Sequence, residues 1–276
     1  MEFVKIGGLD FPKVGLGTFP LKGETLLSAL DCAVKNGYGL IDTAYKYNNE
    51  TEIGNYLYNH ENSIIVQTKF SVKQLTYKKF LWLKYGRKTT EDAIKGSIDK
   101  LRRECLDVYL LHGPSKGNVE YYGDLMKFRE QGKVKVIGVC RFDERQLQDI
   151  KDKCGEYPAI NQIEVHPYQS NKRIIAFCKD NGIAIEARSL FTHGDALEEF
   201  LQSETLKDIA SECNKTVPQI IIRWVVQQGI IAIVKSGTPK HIKDNLDVFD
   251  FSLTAGQMEK IDAMNKDVSF GCVSKI

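Results

Sequence analysis

Four side chains of this chain could together protonate a carbonyl oxygen near neutral pH: Asp42, Tyr47, Lys69 and His112. Asp42 follows the apolar pair Leu40-Ile41, and Tyr47 lies five positions further on, at what reads as a helix start. Lys69 closes the run Ile64-Ile65-Val66-Gln67-Thr68, and His112 closes Val108-Tyr109-Leu110-Leu111. Three buried-type strands therefore deliver an acid, an amine and an imidazole to their carboxyl ends.

Adding a hydride to a carbonyl builds negative charge on oxygen, so an acid must stand beside it. A free phenol has a pKa of about 10 and is a poor donor at neutral pH. Lys69 at about 4 Å would favour the phenolate by about 4 kcal/mol at an effective dielectric of ~20, before desolvation is subtracted. That would bring Tyr47 toward neutrality. Asp42 would keep a buried Lys69 charged. A neutral His112 could donate one hydrogen bond and orient the carbonyl. Each residue alone has a plainer reading: a helix cap, a packed tyrosine, a surface lysine, a loop histidine. Their coincidence at matching strand ends favours chemistry.

The elements that would position them alternate along the chain. Phe3 to Ile6 and Phe11 to Val14 flank Gly7-Gly8-Leu9-Asp10 and predict a hairpin. Strands are then expected at Val14–Gly17, up to Asp42, up to Lys69, up to His112, and over 133–139, 159–163, 182–187 and 230–234. Segments of helical period separate them. Leu26, Leu27, Leu30, Ala33 and Val34 share one face, Thr90 opens a helix with Ile94, Ile98 and Leu101, and Asp143 caps one with Leu147 and Ile150. After the seventh strand, two helices are expected, around 206–212 and 216–228. The pattern is that of an α/β protein, a (β/α)8 TIM barrel with an N-terminal β-hairpin cap. A doubly wound sheet is the alternative, but Gly15-Leu16-Gly17-Thr18-Phe19-Pro20 has Pro20 where a phosphate-binding fingerprint needs its third glycine. No linker or composition shift interrupts the chain, so residues 1–276 read as one domain.

A net charge of +2 gives no case for a nucleic-acid partner. The basic run Lys73 to Arg87, with Tyr77, Phe80, Trp82 and Tyr85, reads as a solvated loop before a helix. The seven cysteines are scattered, without a CxxC, which favours a reducing compartment over a disulfide framework or zinc site. No apolar run approaches membrane-spanning length, no leader is evident, and the cytoplasm is the default. Glu164 and His166 read as structural rather than as metal ligands, and no metal is expected. Lys235-Ser236 ends the last strand before a helix, a combination that suits a phosphate as well as a plain surface lysine.

Asp42-Thr43-Ala44-x-x-Tyr47-x-Asn49-Glu50 resembles the signature of the aldo-keto reductases. Thr68-Lys69, Leu111-His112-x-Pro114, Asn161-Gln162-x-Glu164-x-His166-Pro167-Tyr168, Lys235-Ser236 and Asn245-x-x-Val248 follow in family order. The resemblance implies that Tyr47 is the proton donor, with Lys69, Asp42 and His112 as its partners. It implies NADPH, with NADH possible, bound extended without a Rossmann fold. Gln162 would hold the nicotinamide carboxamide, and Asn161, Cys140, Arg141, Arg188, Ser189, Lys235, Ser236, His241, Asp244 and Asn245 complete the candidate cofactor site. Phe19, Phe70 and Gly113 are the candidate substrate pocket.

Several positions depart from that family. Gly113 replaces a frequent tryptophan and is expected to enlarge the pocket. Cys140-Arg141 stands for Ser-Asn, Arg188 for a stacking aromatic, and His241 for an arginine on the 2′-phosphate. Arg141 and Arg188 could bind an anionic group of the substrate, or pair with Glu164 or Glu186. The chain is read as a monomeric, NADPH-dependent reductase of small aldehydes or ketones. A lyase or isomerase on the same barrel is one rival, and a cofactor-binding regulatory or accessory protein is the other.

Overall fold

The computed structural model describes residues 1–60, 63–71, 89–191 and 195–270. The basic run between Lys73 and Arg87 lies outside them. Ten strands are present among the described residues: β1 (Phe3–Ile6), β2 (Leu9–Pro12), β3 (Val14–Gly17), β4 (Leu40–Asp42), β5 (Ile65–Phe70), β6 (Leu106–Leu111), β7 (Val134–Cys140), β8 (Ile160–Glu164), β9 (Ala184–Arg188) and β10 (Ile231–Lys235). The last eight close a parallel barrel in the order β10-β3-β4-β5-β6-β7-β8-β9.

Alternation along each strand sorts side chains between two cores. Leu40, Ile65, Val108, Leu110, Val136, Ile160, Ile231 and Ile233 fill the inside. Their neighbours Ile41, Val66, Tyr109 and Ile137 pack outward with the helices. The outer core draws on Leu26 and Leu30 from helix Gly23–Lys35, Leu147 and Ile150 from Glu144–Cys154, and the apolar face of Val217–Gln227. Asp143 caps its helix through a reciprocal pair with Gln146, as Thr89 does with Asp92.

The hairpin is tighter than the sequence suggests. Ile6 pairs with Leu9, so Leu9 and Asp10 belong to β2, while Val14 belongs to the barrel. Gly7 and Gly8 both have positive φ, at 55° and 85°, as a two-residue hairpin turn requires. β1 and β2 carry Ile6 and Phe11 into the inner core. They close the amino end of the barrel, opposite the strand ends that bear Asp42 and Lys69. Phe11 is fully buried there. Phe11→Ala is expected to cost about 3–5 kcal/mol through the cavity it leaves. A urea titration should show a lower midpoint at unchanged slope.

Three helices, not two, lie between β9 and β10 among the described residues: Asp195–Gln202, Glu204–Glu212 and Val217–Gln227. The first was not expected. Its acids hide a short apolar stripe that ends in the fully buried Phe200. No helix among the described residues is long and apolar enough to cross a membrane.

Candidate active site

Asp42 and Lys69 share the inward parity of Leu40 and Ile65, so both side chains enter the barrel near its carboxyl rim. Lys69 Nζ donates to Asp42 Oδ1 at 2.6 Å and to the Thr43 carbonyl at 2.9 Å. Lys69 is wholly buried and Asp42 nearly so. Burial disfavours the ammonium, but Asp42, then Tyr47, more than offset it and hold Lys69 above the usual lysine range. The amine is a fixed positive charge.

Tyr47 ends a single 3-10 turn, Tyr45–Tyr47, ahead of helix Glu50–His60. Its loop is pinned from beneath by residues the motif contains but whose roles the sequence did not reveal. Asn49 Oδ1 accepts from Thr43 Oγ1 at 2.6 Å, and its Nδ2 donates to the Leu21 carbonyl at 3.1 Å. Glu50 Oε1 accepts from Thr68 Oγ1 at 2.7 Å. Lys69 Nζ lies 5.2 Å from the Tyr47 ring centroid. Phe19 packs on that ring at 4.9 Å, forming one wall of the rim.

The expected acidification of Tyr47 is not found. Burial holds the phenol above its ordinary value, Lys69 pulls it down, and Asp42 pushes it up again. Lys69 is itself neutralised by Asp42, so its net pull is smaller than that of a lone cation. Tyr47 is a protonated phenol throughout the neutral range.

His112 follows β6, with its edge on the Tyr47 ring at 5.7 Å. Burial, then the charges of Lys69 and Arg141, hold it well below the usual histidine range. It is neutral at physiological pH. Its Nδ1 is buried and meets no partner among the described residues. The Arg141 guanidinium donates to the His112 carbonyl oxygen. Gly113, at φ 147°, has no Cβ to collide with that guanidinium. The Arg141 guanidinium thus occupies the space that a side chain at position 113 would enter first.

Phe70 also departs from expectation. One residue beyond Lys69, it has the opposite parity, is fully buried, and stacks on Tyr109 in the outer core. It lines no pocket. Asn161 likewise faces outward, where its Nδ2 donates to the Phe142 carbonyl at 2.9 Å and steadies the segment after β7. Gln162 and Cys140 face inward. Gln162 Nε2 donates to Asp42 Oδ2 and Glu186 Oε2, at 3.0 and 2.8 Å. Its Oε1 receives only the Cys140 thiol among the described residues, at 3.9 Å. Burial pushes that thiol up to about 12, so Cys140 is no nucleophile.

Arg188 lies 3.7 Å from Glu164 and donates to Ser189 Oγ at 3.0 Å. With Arg141, Glu164 and Ile163 it lines a groove of about 600 Å³ beside the rim. Glu164 also bonds His166, Ser269 and the Phe270 amide, and no metal-ligand cluster occurs among the described residues. At the end of the adjacent strand β10 and in the helix that follows, Lys235 and His241 are exposed. Ser236 Oγ accepts from the Thr238 amide at 3.0 Å. Asn245 is buried against Tyr38, and Asp244 sits at the end of helix Pro239–Asp244. An exposed amine, an imidazole and a hydroxyl at one strand end fit a phosphate.

A closed parallel barrel with an amine–carboxylate pair, a phenol and a neutral imidazole at its carboxyl rim defines the class of this protein. The sequence matches the Aldo/keto reductase family over residues 13–266, and the chain belongs to that family. It is 37% identical over 96% of its length, and 92% of the relative's, to the uncharacterized oxidoreductase YtbE of Bacillus subtilis (strain 168). It is 35% identical, with the same coverage, to the glyoxal reductase of that organism. The crystal structure of a Gox0644 mutant in complex with NADPH superposes with a TM-score of 0.85 at 32% identity, covering 95% of this chain and 93% of that one.

Proposed function

We propose that this protein, read as one domain, reduces small aldehydes or ketones to alcohols with NADPH, and that Tyr47 supplies the proton. The observation that carries this reading is the fixed Lys69–Asp42 pair beneath a protonated phenol, with neutral His112 against its ring. The family, the glyoxal reductase and the NADPH-bound neighbour support it.

Lys235, Ser236 and His241, with Asp244 and Asn245 behind them, would hold the phosphate end of the dinucleotide. Gln162 Oε1, the amide atom left with only a weak thiol donor, would take the carboxamide, flanked by Cys140, Arg188 and Ser189. A reduced nicotinamide held there would supply the hydride. The chain does the rest. Neutral His112 donates to the carbonyl oxygen and orients it. Tyr47 gives its proton to that oxygen as charge develops. Lys69, kept charged by Asp42, stabilises the phenolate left behind.

Arg141 is the more exposed of the two arginines and lines the groove, so an anionic substrate group would meet Arg141 rather than Arg188. A panel of neutral and carboxylated aldehydes, with NADPH and NADH, tests both points by loss of nicotinamide absorbance. Turnover with NADPH is expected, and Arg141→Ala should raise KM for carboxylated substrates alone. Tight NADPH binding without turnover of any carbonyl would replace this reading with that of an accessory protein.

A further inference from the structure

One cation and two carboxyl groups lie together inside the barrel. Asp42 holds Lys69 at 2.6 Å. Glu186, on β9, is fully buried in the same interior. Gln67 Nε2 donates to Asp42 Oδ2 at 2.7 Å and to Glu186 Oε2 at 2.6 Å. Gln162 Nε2 donates to the same two oxygens. Two amides thus clamp two carboxyl oxygens in a closed ring, and each amide nitrogen has spent both its protons.

The remaining oxygens of one pair are the informative ones. Gln67 Oε1 and Glu186 Oε1 are both buried, and neither meets a donor among the described residues. With Glu186 ionised, two buried acceptors are left without a donor on side chains already bonded to each other. A proton on Glu186 Oε1 relieves this, because it turns one of the unmet acceptors into a donor. It also removes a second buried negative charge beside a cation that Asp42 already holds.

We propose that Glu186 is a positioning residue which carries a proton in the active site's working form, clamping Asp42 through Gln67 and Gln162 and leaving Lys69 to Tyr47. The groups that face it are Asp42 from β4, Lys69 from β5 and the neutral Cys140 thiol from β7. The neighbouring strand β10 presents Ile231 and Ile233, and β6 presents Val108 and Leu110. Glu164 and Arg188 pair one layer nearer the rim. Burial, then the Asp42 charge, push the Glu186 carboxyl up to about 7. Ionised, it would compete for Lys69 and disfavour the phenolate, so proton donation weakens as pH rises through about 7.

The folded value lies above the unfolded one. The stabilisation that belongs to this proton is therefore complete below about 4.5 and is lost as pH rises through about 7. Glu186→Gln is isosteric with the protonated acid and serves as the test. Wild type should show a carboxylic-acid C=O infrared band that disappears through about pH 7 and is absent from E186Q. Its melting temperature relative to E186Q should fall over the same range. The activity arm alone rests on the carbonyl-reductase reading: wild type should lose about tenfold in kcat across that range while E186Q stays level. A wild-type protein without the band, with the same pH dependence of stability as E186Q, overturns the proposal whatever its activity. Band and stability shift with parallel rate profiles overturn the positioning role. Band and stability shift without any turnover uphold the buried proton and refute the reductase reading instead.

Discussion

Tyr47→Phe is expected to lower kcat by about two to four orders of magnitude, the range that general-acid catalysis supplies. NADPH affinity and the fold should scarcely change. The phenol makes none of the bonds that hold its loop; Asn49, Thr43, Glu50 and Thr68 make them. Lys69 keeps both its acceptors, Asp42 and the Thr43 carbonyl. The loss should appear in kcat and kcat/KM alike, because the proton moves only in the transition state. A Phe variant within about tenfold of wild type would remove Tyr47 from the chemistry and leave His112 as the donor.

That prediction does not need an acidified phenol. The oxygen that forms after hydride addition is an alkoxide, far more basic than a phenolate, so a proton from an ordinary tyrosine moves downhill. What matters is that Tyr47 carries its proton at working pH, which burial ensures. The ammonium of Lys69 then lowers the energy of the phenolate as it appears. The expectation that Lys69 alone would bring Tyr47 toward neutrality treats it as a bare cation. The structure locks it to Asp42, and the pair's field is weaker than that of a single charge.

The barrel is legible in the sequence because parallel strands buried on both faces read as short apolar runs between helical segments. Asp42, Lys69 and His112 stand out because each interrupts such a run at its carboxyl end. What the runs conceal is which face a residue takes. Phe70 follows Lys69 directly, so parity alone turns it into the outer core. Gln67 and Glu186 read as ordinary mid-strand polar residues, although both have the parity of the inner face. Their importance arises from pairing across the barrel, between residues 119 positions apart. The same holds for Gly113 and Arg141, which occupy each other's space from adjacent strand ends. Local periodicity carries no information about such meetings. The helix Asp195–Gln202 escapes sequence reading for a simpler reason: it is short and acidic.

Lys69→Met should have the second-largest effect, and on two quantities at once. Removing one partner of a buried ion pair leaves the other charge uncompensated, at about 3–5 kcal/mol. Here the stranded charge is that of Asp42, which shares its two amides with the protonated Glu186. With the Lys69 cation gone, Asp42 sits in that ring without the counter-charge that held it. The ring should bind protons more tightly, so the variant should regain stability as pH falls, measurable by urea unfolding across the acid range. Adding Asp42→Asn removes the stranded charge and should restore most of the stability. The double variant thus separates structure from chemistry. It should fold nearly as well as wild type yet reduce carbonyls about a hundredfold more slowly or worse, because no ammonium remains to hold the phenolate. Recovery of turnover together with stability would show that the pair serves the fold alone.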